Sequence, residues 1–432
     1  MKLASDIRDY RQHRRVIFLC NIVSKLIVTS VVLFSSFSTS FDSSHNLIVA
    51  GDSLVARWSR SMLRWDAFHF AHIAQNGYVF EYEYAFFPGV PLVMRAVTEI
   101  ARIAGLVSWT KQPSVEQLLY SGALSTLFID SSPVLYELTL AVTKSTQFAL
   151  LCSLLLSLPT SPATLLFGTY AEPFFSYFAL RGMLHAERQQ FGSAAIYFAL
   201  ATTFRANGVL LVGYLMWGMV VVPLLRFQRT PQVTTATAAT ALLYVTVSIS
   251  PFFLHQILAF QSFCHTPSVG LLPEWCVSTI PLIYPYVQSK YWNVGFLKYW
   301  RVAQVPNFIM GGPVLTLLLW TSAYHFKMGV LDVARVASSH RAEHKPCLRS
   351  PLDVQRIRVI PYALHGLIFG LILLFASHTQ IVLRLASSLP IVYWATADLL
   401  IHRKRLARSY IAWNIVWYAV SCVLWGVFLP PA

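Results

Sequence analysis

The stretch Arg14-Arg15-Val16-Ile17-Phe18-Leu19-Cys20-Asn21-Ile22-Val23-Ser24-Lys25-Leu26-Ile27-Val28-Thr29-Ser30-Val31-Val32-Leu33-Phe34 decides the fold class. It follows a basic start that also holds Arg8 and Arg11, and its apolar character runs from Val16 to about Phe37. A cleaved leader has an apolar region of about 7–15 residues and a small-residue cleavage site. This run is longer and lacks a clear site, so it reads as a retained first membrane span. Similar runs recur along all 432 residues, of which 56% are hydrophobic and only 12% charged. Soluble domains carry about 25% charged residues, and the mean hydropathy of +0.56 points the same way. A membrane β-barrel would show alternating segments of about 10 residues, which this sequence lacks. The chain therefore reads as an all-α polytopic membrane protein, a single domain over 1–432.

Further apolar runs fall at about 116–140, 145–160, 162–181, 191–205, 207–225, 236–262, 306–326, 357–377, 380–400 and 410–429. With the first, they predict about 11 spans. Pro159, Pro162 and Pro173 interrupt several of them, as membrane helices allow where protein or a water-filled cavity satisfies the freed backbone groups. The net charge of +15 is not spread as a nucleic-acid face. Arg181–Gln190, Arg226–Gln232, Lys327–Arg358 and His402–Arg408 are basic connections, and with a cytosolic start all four fall on one side. The long loops 38–114 and 263–305 then lie together on the lumenal side. Loop 38–114 is rich in aromatics and mixed charge, and predicts short amphipathic helices such as Leu92–Ala104. No internal repeat or heptad pattern is evident.

Six cysteines are present. Cys20, Cys152 and Cys422 fall in apolar runs and read as packing residues. Cys264 and Cys276 flank one polar loop and could pair if that loop is lumenal. Cys347 sits alone in a basic loop, and no CxxC spacing appears.

Loop 38–114 carries the densest chemistry: Arg64-Trp65-Asp66-Ala67-Phe68-His69-Phe70-Ala71-His72, then Phe86-Phe87-Pro88-Gly89-Val90-Pro91. Asp66 is a candidate general base for a hydroxyl nucleophile, or a helix N-terminal acid bonding backbone N–H groups. Asp66, His69 and His72 also have a spacing that permits metal ligation without specifying it. Glu81 and Glu83 lie among aromatics, as an interfacial anchor or a sugar-binding rim would. Glu172, in Tyr170-Ala171-Glu172-Pro173, is an acid within an apolar run, a costly placement that marks either a site or a paired structural charge. Arg205, in Arg205-Ala206-Asn207-Gly208, can fork onto a phosphate or snorkel at a helix end. Tyr291-Trp292-Asn293 has the ring faces and amide that hold carbohydrate, or that form an aromatic belt. His378, Gln380 and Arg384 lie within about a turn and a half of one another.

Together these pieces resemble one family, the second mannosyltransferases of GPI-anchor synthesis, endoplasmic-reticulum enzymes of the GT-C class. The matching residues are Arg64-Trp65-Asp66-Ala67, Ile73-Ala74 with Gly77-Tyr78, Ala85-Phe86-Phe87-Pro88-Gly89, Ser161-Pro162-Ala163, Tyr170 with Glu172, and Arg205 with Asn207-Gly208. They continue through Tyr291-Trp292-Asn293-Val294-Gly295-Phe296-Leu297, Gln304-Val305-Pro306-Asn307-Phe308, and His378 with Gln380 and Arg384. They occur in the family's order across nearly the whole chain. Phe68, where a more polar residue is familiar, and Ala206, where a Ser is, depart from the pattern.

The resemblance implies a multi-pass enzyme of the endoplasmic-reticulum membrane with about 11 spans and a long first lumenal loop. It implies transfer of an α-1,6-linked mannose from dolichyl-phosphate-mannose, a co-substrate, to a one-mannose glucosaminyl-(acyl)phosphatidylinositol acceptor. Asp66 would be the base of an inverting displacement, with Arg64 and Trp65 in support. Tyr170, Glu172, Arg205, Asn207, His69, Tyr291, Trp292, Asn293, His378, Gln380 and Arg384 would bind substrate. It also favours a Cys264–Cys276 disulfide, no metal or other cofactor, no nucleic acid, and in some lineages a small membrane partner subunit. Two other classes share some features: a polytopic transporter, which would be expected to carry inverted repeats, and a non-catalytic subunit of a lipid-sugar complex.

Overall fold

The computed structural model describes residues 2–51, 53–107, 112–225, 234–265, 272–338 and 355–430. Among them the fold is entirely helical, with no strand. The helices are α1 (Lys2–Ser35), α2 (Leu54–Met62), α3 (Asp66–Asn76), α4 (Gly89–Ile103), α5 (Val115–Phe128), α6 (Ser132–Thr143), α7 (Thr146–Leu156), α8 (Pro162–Leu166) and α9 (Glu172–Glu187). They continue as α10 (Phe191–Phe204), α11 (Ala206–Leu225, of mixed helical type), α12 (Thr235–Cys264), α13 (Ile283–Trp292), α14 (Val305–Ser338), α15 (Arg356–Phe375), α16 (Ile381–Leu385), α17 (Pro390–His402) and α18 (Lys404–Gly426).

Among the described residues six helical stretches are long and apolar enough to cross a membrane: Tyr10–Ser35, Val115–Thr143, Ala206–Leu225, Thr235–Cys264, Val302–Arg335 and Arg356–Phe375. They mark the chain as a membrane protein. Several predicted runs divide. The run 116–140 is two helices with a break at 129–131, and 162–181 becomes the short α8 and then α9. The prolines explain the second division: Pro162 and Pro173 each sit in the first turn of their helix, where the missing N–H costs nothing. The run 306–326 is shorter than the helix that contains it, since α14 continues to Ser338. The basic connection 226–232 and Cys347 lie outside the described residues.

Polar groups inside the bundle find partners. Lys25 of α1 donates to the carbonyls of Leu127 at 2.7 Å and Ile129 at 3.4 Å, which the break between α5 and α6 leaves open. Asn21, one turn earlier, donates to Asp130 at 3.0 Å. Ser24 bonds the carbonyl of Ser157 and the hydroxyl of Tyr418. One face of α1 therefore satisfies the non-helical backbone and polar side chains of its neighbours, as a bilayer interior demands. Gly366 and Gly370 of α15 let α14 approach closely. A Cβ at Gly366 would stand 2.5 Å from Ser322 Oγ, and one at Gly370 2.7 Å from Leu319 Cδ2.

Loop 38–114 folds as predicted into short helices. In place of Leu92–Ala104 the helix is Gly89–Ile103, started by the Pro88-Gly89 turn. It buries Val90, Met94 and Thr98 and exposes Leu92, Ile100 and Ile103, while α2 exposes Leu54, Val55 and Trp58. Helices apolar on both the packed and the open face suit a bilayer surface.

Candidate active site

Four charged side chains converge from sequence positions up to 318 apart. Arg384 on α16 donates from Nη2 to Asp66 Oδ2 at 2.5 Å and from Nε to Glu172 Oε1 at 2.7 Å. Arg205, just after α10, donates from Nη1 to the same Glu172 oxygen at 2.6 Å. The order is Asp66–Arg384–Glu172–Arg205, two anions and two cations alternating. Charge-assisted bonds of this length are the strong kind. Glu172 is 1% exposed, and its Oε2 is buried with no hydrogen-bond partner among the described residues. Its place in the first turn of α9 adds the favourable end of a helix dipole.

This chain of charges forms part of the wall of a cavity of about 580 Å³, within the range of small-ligand sites. Asp66, Trp65, His69, Tyr170, Arg205, Asn207, Trp292, His378, Gln380 and Arg384 all line it. On α3, Asp66 and His69 both reach the cavity while Ile73 is buried. His69 stacks on Phe86 at 4.3 Å, and burial pushes its imidazole below the ordinary value, with Asp66 opposing the shift. His69 is therefore neutral near pH 7. His378 bonds the Trp292 carbonyl at 2.8 Å, and Gln380 accepts from the Tyr299 hydroxyl.

Four predicted site residues do not line the cavity. Glu172 lies beneath it, holding the two arginines. Tyr291 turns its hydroxyl to Glu81 at 2.8 Å. Asn293 is the left-handed residue that ends α13, at φ 52°. Both were placed by their neighbour Trp292, yet α13 presents only Tyr284, Gln288 and Trp292, four residues apart each, to the cavity. Arg64, 2% exposed, points away. It donates to the carbonyls of Arg60, Leu63, Trp425 and Gly426 and lies over the Phe428 ring. Trp65 adopts φ 37°, a conformation costing a non-glycine residue on the order of 1–3 kcal/mol. The Tyr170 hydroxyl donates to the Arg64 carbonyl at 2.8 Å, and its ring faces Arg384.

His72 leaves the cavity for Glu83, whose second oxygen takes the backbone N–H groups of Val79 and Phe80. Among the described residues no three His, Cys, Asp or Glu side chains gather as metal ligands would. Cys264 and Cys276 are joined in a disulfide. Beside it Glu81 accepts from Trp275 Nε1 at 2.8 Å, from Lys290 at 3.3 Å and from Tyr291. One acid thus ties loop 38–114, the disulfide-bonded loop and α13 into one rim.

A family model described as Mannosyltransferase (PIG-V) matches residues 13–432. The chain belongs to this mannosyltransferase family. Among relatives, the GPI alpha-1,6-mannosyltransferase 2 of Cricetulus griseus is 32% identical over 403 residues, covering 83% of this chain and 77% of its own length. That of Homo sapiens is 31% identical over 385 residues, with the same coverage. The GPI mannosyltransferase 2 of Cryptococcus neoformans is 30% identical over 438 residues, 96% of this chain and 98% of its own.

A mannosyltransferase is a glycosyltransferase, and the cavity has the parts such an enzyme uses: a carboxylate, cations beside it, and aromatic faces. Sequence reasoning missed Trp425 and Pro430, which also line the cavity, and Phe428 behind them. They follow an apolar run without any polar motif, so no local signal singled them out.

Proposed function

We propose that the chain is a dolichyl-phosphate-mannose-dependent α-1,6-mannosyltransferase. It adds the second mannose to a one-mannose glucosaminyl-(acyl)phosphatidylinositol at the lumenal face of the endoplasmic reticulum. The observation that carries this reading is Asp66, bound through one oxygen to Arg384 and exposed to the same cavity as Arg205 and the aromatic faces of Phe86 and Trp292. The names of the relatives supply the linkage and the pathway.

The donor is a β-linked mannosyl phosphate and the product an α-mannoside, so the reaction inverts C1 in one displacement. The 6-hydroxyl oxygen of the acceptor mannose forms the new bond to C1. Its proton passes to the free oxygen of Asp66, acting as general base. The C1–O bond to phosphate breaks, and the electron pair leaves on dolichyl phosphate. Arg384 and Arg205 stand where they can stabilise that departing charge, a preorganised electrostatic role. Arg384 touches both Asp66 and Glu172, so its guanidinium links the base to the leaving-group side. Trp65 and Tyr170 fix the loop, and Asn207, Gln380, His378 and His69 offer polar contacts to sugar hydroxyls. A lipid-phosphate donor carries no diphosphate, so no resident metal is needed in this scheme.

In the membrane the short helices α7, α9, α10 and α17, with α18, add to the six long spans in a GT-C arrangement of about 11 crossings. The basic connections then face the cytosol. The Cys264–Cys276 disulfide supports a lumenal, oxidising location for its loop. A small membrane partner subunit remains part of the reading.

The test is Asp66→Asn, expressed in cells that lack the endogenous enzyme and as purified chain supplied with both lipids. Loss of surface GPI-anchored proteins, with a one-mannose intermediate accumulating, is the expected outcome. Full restoration of the anchored proteins would remove Asp66 as the base.

A further inference from the structure

The backbone that presents Asp66 is held from behind by the segment that follows α18, Val427–Pro430. Among the described residues no carboxylate lies within ion-pair distance of Arg64. Its guanidinium instead takes the carbonyls of Trp425 and Gly426, at 3.2 and 3.1 Å, at the end of α18. A helix leaves its last carbonyls without partners inside the helix, and the Trp425 carbonyl here accepts the Phe428 N–H at 3.1 Å as well as Arg64. Phe428, 5% exposed, then folds back over Arg64 at 4.4 Å. Its ring meets Trp65 edge-on at 5.3 Å, stacks on Phe68 at 6.1 Å and touches His45 at 5.5 Å. Two hydrogen bonds to backbone carbonyls add connections, the first from a backbone N–H and the second from an indole. Phe41 N–H donates to the Val427 carbonyl at 2.8 Å, and Trp425 Nε1 donates to the Ser61 carbonyl at 2.9 Å.

Two aromatic residues in left-handed backbone conformation meet here, Trp65 at φ 37° and Phe428 at φ 64°. Such conformations persist only where the surroundings over-determine them, and they gather at functional sites. Beyond Phe428, Pro430 reaches the cavity wall beside Trp425. The same few residues therefore grip the loop immediately before Asp66 and complete the site that Asp66 faces. Phe68 lies against Phe428 and makes the grip apolar.

We propose that Val427–Pro430 is a positioning strap for the reaction, with Phe428 as its key residue. Phe428 sets the orientation of Asp66 through Arg64 and Trp65 from behind the cavity wall, without itself touching substrate. This inference rests on the reading of Asp66 as the base, and the variants are chosen to separate the two.

Glycine is the informative replacement at 428. It adopts a positive φ without strain, so Phe428→Gly keeps the turn and deletes only the ring. Purified Phe428→Gly, Phe428→Tyr and Asp66→Asn are compared with wild type in the reconstituted transfer assay, alongside their thermal melts. Phe428→Gly is expected to remain folded, with kcat down at least tenfold and KM for both lipids within twofold. Phe428→Tyr, which keeps the ring, is expected to restore at least half of kcat. If folded Phe428→Gly keeps kcat within twofold while Asp66→Asn is inactive, the strap is refuted and the base assignment stands. If Asp66→Asn is active, the base assignment fails and the strap loses its object. Should Phe428→Gly not fold, Phe428→Leu is measured instead. An apolar replacement that folds with unchanged kcat equally overturns the proposal.

Discussion

Replacing Glu172 by Gln would test the logic of the site most directly. The side chain keeps its shape and loses its charge. In the structure Glu172 Oε1 receives Arg205 at 2.6 Å and Arg384 at 2.7 Å, and the side chain is fully buried. Hydrogen bonds to charged groups contribute about 1.5–3 kcal/mol each, and breaking a buried pair costs about 3–5 kcal/mol. The two arginines are partly exposed, at 20% and 12% of their side chains, so solvent returns part of that cost. A net loss of about 3 kcal/mol follows, at the lower bound for a buried pair. At roughly 2 °C per kcal/mol for a large chain, the melt should fall by about 6 °C. The functional effect has a separate cause. With Glu172 neutral, Arg384 keeps Asp66 as an anionic partner but is no longer held from the other side, so the guanidinium beside the base loses its fixed position. Each 1.36 kcal/mol added to the barrier is tenfold in rate, and a fall in kcat of at least tenfold is the expected outcome. The measurements are a fluorescence melt in detergent and the reconstituted transfer with varied donor. An unchanged melt with only KM raised would refute this reasoning, because it would show Glu172 meeting substrate and not the arginines.

Three other perturbations follow from the same coordinates. Joint replacement of Cys264 and Cys276 by Ser opens a 12-residue separation, and should lower stability by about 3 kcal/mol, read as a lower melt and as loss of the mobility difference between oxidised and reduced protein on gels. Gly89→Ala would place a Cβ 2.6 Å from Phe204, an overpacking cost of about 1–3 kcal/mol at a cavity-lining ring. Phe204→Leu in the same chain should recover the melt, and failure to do so would place the clash elsewhere. His45 is held down to about 4 by burial, then by Arg64 and Arg60. Its folded value lies below that of the unfolded chain, so the stability it supports is whole above about pH 6.5 and lost as pH falls toward 4. Melts at pH 7.5 and 5 should differ more for wild type than for His45→Phe, and equal differences would remove His45 as the cause.

The candidate site was legible in the sequence to the extent that its chemistry was unusual for its surroundings. Asp66 in a polar-aromatic loop, Glu172 inside an apolar run and Arg384 beside His378 each broke a local pattern, and the fold brings all three to one cavity wall. Their partnership was not legible, since it needs α9 and α16 side by side. Glu172 reads in the sequence as either a site residue or a paired structural charge, and the fold pairs it with two arginines. Tyr291 and Asn293 shared a motif with Trp292, but helical spacing on α13 turns them away from the cavity. Trp425, Phe428 and Pro430 looked like the end of an apolar run. Helix boundaries were obscured for a related reason: hydropathy measures average burial, whereas the break at 129–131 depends on Lys25 arriving from another helix.

In chain order α1 precedes the carbonyls of Leu127 and Ile129 and the carboxylate of Asp130 that its Lys25 and Asn21 bond. A lysine at the centre of a lone span costs about 2.5–3.5 kcal/mol on insertion scales. The break between α5 and α6 supplies the partners that α1 lacks as a lone span, so these three helices are at home in a bilayer together and not singly.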